Sequence, residues 1–370
     1  MNTSRRTLAS QVAESVRTML LDGQVASGTY LPAERELVAR HRVSRVTVRR
    51  ALRQLVGEGL IEAVPYQGYR PVAAQPKGSS TGPVAYVLAV AEPAQPWDRT
   101  HEQILSAFNR ALMSQGRHAL AVGCKGRSPG QTVREVTDAG CTGLVLDTSL
   151  QEFVDAAVGS QLPCVVVDAY AEAPGLDVVI QDNFNGARRA VEFLLARGHR
   201  RLGWVGPTRE LAHFRERFAG ARAALRDAGL DFEPALIAEA PHDDAESAGE
   251  VAARMLTGPD RPTALVCMWL DVALGAARAA RGAGLAVGRD VELAAWATER
   301  EYREVLAPEF LGGEIPVTMV WRPDDMAELA LARLEERARH PRGPAARVDV
   351  GVRLVGPQPA EALLRRRRGQ

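Results

Sequence analysis

Cysteine is sparse in this 370-residue sequence: Cys124, Cys141, Cys164 and Cys267 form no CxxC pair, and three of them lie in or beside apolar runs. That pattern excludes a disulfide framework and reads as reduced core thiols in a cytoplasmic protein. No apolar run approaches the length that crosses a bilayer, and the opening MNTSRRTLASQ lacks the apolar centre of a signal peptide. No membrane partner is therefore expected. Phosphate-cradling GxGxxG and GxxxxGK[ST] loops do not follow the strand-like runs, and no GxSxG elbow presents a nucleophile. His242-Asp243-Asp244 and Asp324-Asp325 lack the spacing of a closed metal site and read as solvated loop carboxylates. The chain is accordingly not read as an enzyme, and no cofactor or metal is expected.

What is present is ordinary globular material, 46% hydrophobic and 25% charged, and its length implies two domains. The net charge of +1 hides an asymmetry. Residues 1–77 hold twelve Arg or Lys against six Asp or Glu, +6, which leaves −5 on the remainder. A basic head on an acidic body suggests that only the head meets a polyanion. The cationic residues are almost all arginine, a preference given no functional weight.

Within the head, Leu8, Val12, Val16, Met19 and Leu20 recur at helical spacing and predict an amphipathic helix over 7–21. Leu31-Pro32 opens a second helix, residues 33–40, with Leu37 and Val38 inward. His41-Arg42-Val43 makes a turn, and Ser44 is placed to cap a third helix that runs to about Val56. Val48, Ala51, Leu52 and Leu55 give that helix one apolar face, while Arg45 and Arg49 share another with Ser44 and Thr47. Six arginines and no acid occur between Arg40 and Arg53. A solvated cationic face is the plainer alternative. On the second helix of a helix-turn-helix, however, such residues point at base edges in the major groove. Residues 60–64 and 69–72 can pair as a hairpin, and Gly68 permits close backbone approach to a phosphate.

LPAEREL, VSRVTVRRAL, LVGEGLI and the wing glycine resemble the winged-helix DNA-binding domain of the GntR family. The resemblance implies that Arg35, Ser44, Arg45, Thr47, Arg49, Gly68 and Tyr69 touch DNA. Arg45 and Arg49 are the candidates for bidentate guanine contacts, and Arg35 for a phosphate. Ala33 stands where that family usually has Ser.

Residues 73–83 are rich in Pro, Gly and Ser, lack periodicity and read as a linker unsuited to a hinge helix. From 84 to 370, β-branched runs alternate with helical patterns, predicting an α/β domain with parallel sheets. Strands are expected at 84–90, 119–122, 143–146, 164–167, 178–180, 202–205, 264–267 and 291–296. Helices are expected at 102–115, 185–197, 214–228 and 272–282, with Gly116, Gly198, Gly229 and Gly284 just past helix ends.

The segments DNFNGA, LLARGHRRLGWVG, ERFAG, PTALV and DVALG, in this order and spacing, resemble the effector domain of the LacI/GalR regulators. The resemblance implies a periplasmic-binding-protein type 1 fold: two Rossmann-like lobes joined by three crossovers around a ligand cleft. The crossovers are placed near 180–182, 296–298 and 320–322. Ligands of open α/β sheets sit outside the carboxyl ends of the strands, which points to Glu92, residues 93–98, Asp147, Asp168, residues 206–217 and residues 269–271. By motif, Arg217 and Asp271 match positions that bond sugar hydroxyls. Trp97 and Trp269 either stack on a sugar face or simply pack; Asp271 also suits the first turn of a helix. Leu270-Asp271 replaces the family's Asn-Asp, and Trp296-Ala297-Thr298 its Phe-Asp-Asp, so two polar contacts are missing.

The combined expectation is a cytoplasmic transcriptional repressor. Residues 1–72 would bind operator DNA, and the body would dimerise and take a small polar effector, a sugar or related molecule. Two alternatives stand beside it: a regulator whose cleft no longer takes a ligand, and a sugar receptor without DNA function.

Overall fold

The computed structural model describes residues 8–21, 30–57, 61–64, 68–71, 82–89, 99–124, 126–169, 176–209, 211–240, 244–311 and 313–365. They belong to two compact units, Met1–Gly78 and Ser79–Gln370.

The first unit is a three-helix cluster with a hairpin: α1 (Leu8–Leu21), α2 (Glu34–His41), α3 (Arg45–Gly57), β1 (Ile61–Val64) and β2 (Gly68–Pro71). Its core joins Val12, Ala13, Val16 and Met19 to Leu37, Val48, Ala51, Leu52, Leu55 and Ile61. Leu8, expected in that core, is 58% exposed: it precedes the first full turn, and Ala9 and Ala13 carry the buried stripe instead. The Leu20 side chain lies outside the described residues. As expected, Ser44 caps α3, its Oγ accepting from the Thr47 N–H at 3.1 Å. The wing pairs Ile61 with Pro71 through Val64 with Gly68. It is tied down where the Leu31 N–H donates to the Tyr69 carbonyl at 2.8 Å.

The second unit contains two six-stranded sheets. Strands are β3 (Val84–Leu88), β4 (Ala119–Gly123), β5 (Gly143–Asp147), β6 (Cys164–Val167), β7 (Asp177–Gln181), β8 (Leu202–Val205), β9 (Ile237–Ala238), β10 (Ala264–Cys267), β11 (Glu292–Thr298), β12 (Glu314–Ile315), β13 (Val317–Trp321), β14 (Arg347–Val350), β15 (Arg353–Val355) and β16 (Gln358–Pro359). Lobe 1 has the order β14-β7-β6-β5-β3-β4 and lobe 2 the order β15-β13-β11-β10-β8-β9, parallel except for β15 against β13. Helices cover both faces, so β3, β5, β6, β8 and β10 are buried throughout and read as unbroken apolar runs. Among these helices are α4 (Arg99–Ser114), α5 (Pro129–Asp138), α6 (Gln151–Gly159), α7 (Asn183–Ala196), α8 (Ala212–Asp227), α9 (Ala245–Leu256), α10 (Leu270–Gly282), the short turns α11 (Glu299–Glu301) and α12 (Ala307–Glu309), and α13 (Pro323–Arg339). Gly116, Gly198, Gly229 and Gly284 all have positive φ at helix ends.

The chain passes between lobes after β7, after β13 and between β14 and β15. The crossover expected at 296–298 is therefore wrong: β11 and β13 pair side by side in lobe 2, and the remaining crossing lies at Gly351-Val352. Strand-like composition does not say which sheet a strand joins.

Where α7 and α8 cross, a Cβ on Gly220 would stand 2.0 Å from the Phe184 carbonyl oxygen. Backbone cannot yield as a flexible side chain does, so Gly220→Ala should destabilise the body by roughly 1–3 kcal/mol. A urea midpoint equal to the parent's would show that these helices separate without cost. The cysteines are free thiols, and burial pushes Cys164 up to about 11 and Cys267 up to about 12. Among the described residues, no helix is long and apolar enough to cross a membrane.

Candidate functional site

The first candidate surface is the N-terminal turn of α3. Arg35, Ser44, Arg45 and Arg49 are exposed and Thr47 is half-buried. Ser44 and Thr47 share a hydroxyl hydrogen bond of 2.8 Å, so both are organised by the helix cap. Arg45 and Arg49 are not loose: their Nε atoms donate to Glu34 at 3.1 and 3.0 Å. Partial burial raises the Glu34 pKa, but the hydrogen bonds from Arg49 and Arg45 outweigh it and hold the carboxyl below its ordinary value. Gly68 opens β2 with φ +114°, and Tyr69 is half-buried against the core of this unit. Ala33, at the N-cap of α2, has no side-chain acceptor, and only Glu36 reaches back, accepting from the Ala33 N–H at 3.0 Å.

Two residues here escaped the sequence reading. Glu34 was passed over because an acid beside a basic helix looks like an ordinary first-turn carboxylate. Val46 is 73% exposed, between Arg45 and Thr47. The available signal was that Val46 lies off the 48-51-52-55 stripe, where an apolar side chain can meet a thymine methyl.

The second candidate site lies at the carboxyl ends of strands from both lobes. In lobe 1, Asp147 ends β5, buried, and its Oδ2 accepts from the Tyr86 hydroxyl and bonds His101 Nδ1 at 2.8 Å. Asp168 follows β6 in the left-handed region, φ 52°, a conformation that Asp and Asn tolerate better than most residues. In lobe 2, Arg217 on α8 is buried. Its Nε donates to Asn183 Oδ1 and its Nη1 to the Met268 carbonyl, both at 2.8 Å, and its guanidinium lies 3.8 Å from the Trp296 ring centroid. Burial lowers the Arg217 pKa to about 9, while Asp168 and Glu216 oppose the shift. Asn183 Nδ2, Gln181 Oε1 and Trp296 Nε1 are buried with no protein partner. A polar ligand or water would satisfy them.

Trp269 is half-buried, its ring 5.1 Å from Phe214, and Asp271 occupies the first turn of α10, within electrostatic reach of Glu301. Glu92, residues 93–98 and so Trp97 lie outside the described residues. Sequence reasoning missed the bridges between lobes. Thr298 Oγ1 donates to Gln103 at 2.8 Å, Gln103 Nε2 to buried Glu301 at 3.3 Å, and Arg347 pairs with Glu216 at 2.5 Å. Thr298 stands where the resemblance expected a ligand carboxylate, and here it caps α11 instead.

Asp168 is half-buried. Burial, then Asp147, pushes its carboxyl up to about 7, against His101, Arg217 and Gln181. The folded value exceeds the unfolded one, so its contribution to stability is full below about pH 4 and lost as pH rises through about 7. Asp168→Asn should flatten that fall and be the more stable form at pH 8. Melting curves of parent and variant that stay parallel from pH 4 to 8 would rule this out.

These geometries define a class: a winged helix-turn-helix joined in one chain to a two-lobed, parallel-sheet binding module. Comparison with known proteins gives the same two parts. Residues 8–70 match the model described as bacterial regulatory proteins, gntR family, and residues 191–356 the periplasmic binding protein-like domain. The chain thus carries a GntR-type helix-turn-helix domain and a periplasmic-binding-protein-like domain. It is 27% identical over 196 residues to the ribose operon repressor of Haemophilus influenzae, covering 53% of this chain and 56% of that protein. To the transcriptional repressor PurR of Escherichia coli it is 30% identical over 196 residues, 52% and 55% of the two chains. The chain spans about half the length of the curated relatives it matches. Among solved structures, a LacI-family regulatory protein from Chloroflexus aggregans superposes with TM-score 0.61 at 22% identity, over 73% of this chain and 96% of that one. The transcriptional regulator CelR in complex with cellobiose superposes with TM-score 0.63 at 18% identity, over 95% and 99%. These likenesses fix the fold.

Proposed function

We propose that the chain is a DNA-binding transcriptional repressor that holds a near-palindromic operator as a homodimer and responds to a small polar effector of the carbohydrate class. The observation that carries this is the start of α3, where exposed Arg45 and Arg49 stand one helical turn apart and share Glu34, next to the capping Ser44 and Thr47 hydroxyls. Relatives named as repressors support it, as does the gntR-family match over the same unit. The effector reading is supported by the buried polar groups of both lobes around Arg217 and by the ribose and cellobiose in two relatives' names. An effector that bonds both lobes favours one lobe arrangement and shifts the population toward it. In a two-fold dimer, that shift alters the spacing of the two winged helices.

One observation favours a second reading, a regulator whose cleft takes no ligand. Trp296 stacks on Arg217, and two of the three guanidinium nitrogens are already bonded within the protein. A thermal-shift screen against ribose, cellobiose and other sugars separates the two, because a ligand bound by the native state raises its melting temperature. A gel shift with the protein's own upstream region tests the DNA half. Indifference to both that region and a random duplex would overturn it.

A further inference from the structure

We propose that Glu34 is a positioning residue of the DNA-reading face, a carboxylate on α2 that fastens the Nε edges of both Arg45 and Arg49 and leaves their terminal Nη edges as two preset forks. This rests on the DNA-binding function proposed above. Arg45 Nε meets Glu34 Oε2 at 3.1 Å, and Arg49 Nε meets both carboxylate oxygens at 3.0 Å. The acid's side chain is only 18% exposed, against 67% and 55% for the two arginines. One end of the three-residue cluster is therefore anchored and the other is offered to solvent.

The placement follows from the local fold. Glu34 is the first residue of α2, where the helix dipole favours an acid. Arg42, left-handed with φ 52°, turns the chain into α3, and Arg45 and Arg49 stand one helical turn apart on a common face. An isolated exposed ion pair contributes little and would imply nothing. Here a single, largely covered carboxylate takes bonds from both guanidiniums that are candidates for reading bases.

Two consequences follow for recognition. An arginine side chain loses much rotamer freedom when it binds, and a side chain already held loses less at the moment of contact. A guanidinium can meet guanine O6 and N7 through Nε and one Nη, or through its two Nη groups. With Nε occupied, the end-on pair remains. A carboxylate on this face also repels phosphates, so it weakens backbone-only binding while it orients the forks for bases. Sequence-independent affinity would be better served without the acid. Glu34 thus fits a role in selectivity.

The test uses the full chain, with Glu34→Gln and Glu34→Ala beside wild type, each checked for an unchanged melting curve. Fluorescence anisotropy over a KCl series would measure binding to three probes. These are a duplex selected by wild type from a random pool, a scrambled duplex of equal length, and the selected duplex with 7-deazaguanine replacing guanine. Both variants should bind the selected duplex at least tenfold more weakly and the scrambled one several-fold more tightly. Their penalty for 7-deazaguanine should also shrink relative to wild type. Opposed shifts of this kind separate orientation from general loss of folding, which moves both affinities the same way. Unchanged affinity for the selected duplex, or equal shifts on both duplexes, overturns the inference while the DNA-binding function stands. A wild-type chain that selects no sequence overturns both.

Discussion

Arg217→Ala should abolish the response to effector and also lower the stability of the body by roughly 1–3 kcal/mol, the cost of leaving buried hydrogen-bond partners unsatisfied. The side chain is buried, and its loss leaves Asn183 Oδ1 and the Met268 carbonyl without their donor and the Trp296 face without its cation. Asp168 also loses a neighbouring positive charge. Loss of response and loss of fold must be separated, and Asp271→Ala supplies the control. Asp271 is only half-buried in the first turn of α10, so its removal should leave the melting temperature nearly unchanged while removing the response. The readouts are thermal melting, with and without sugar, and release of operator DNA. A retained sugar response in both variants would exclude this cleft as the effector site.

On the DNA side, Arg45→Ala and Arg49→Ala should each weaken binding to the selected duplex by roughly ten- to a hundredfold and relax the preference at one operator position. Removing a phosphate contact, as expected for Arg35→Ala, should weaken all duplexes about equally and reduce the salt dependence. Because Arg45 and Arg49 share Glu34, their effects should not add: each single change frees the acid to bind the other arginine alone. Selection from a random pool by each variant gives both affinity and preference. If Arg49→Ala retains wild-type affinity and the same sequence preference, Arg49 is not a base reader.

The head was legible in the chain almost residue by residue, for a physical reason. A small three-helix unit draws its core from local periodicity, and Val48, Ala51, Leu52 and Leu55 are buried as their spacing requires. Helix ends in the body were similarly legible, since Gly116, Gly198, Gly229 and Gly284 hold backbone conformations that local chemistry alone dictates. Leu8 was misread because periodicity does not reveal where a helix begins to be covered.

Sequence by itself therefore determined the two-part organisation, the helix that presents Arg45 and Arg49, and the alternation of strands and helices that makes parallel sheets. Tertiary structure alone decided which sheet each late strand joins, that the third crossing falls at Gly351-Val352, and that Thr298 links to Gln103 across the lobes. It also decided that Arg217 is shared among Asn183, Met268 and Trp296. And it placed Glu34 against both Arg45 and Arg49 of α3, a pairing across a turn of the chain. Periodicity reports which face of one element is covered. Which side chain meets which across two elements depends on how those elements pack, and local sequence pattern does not encode that.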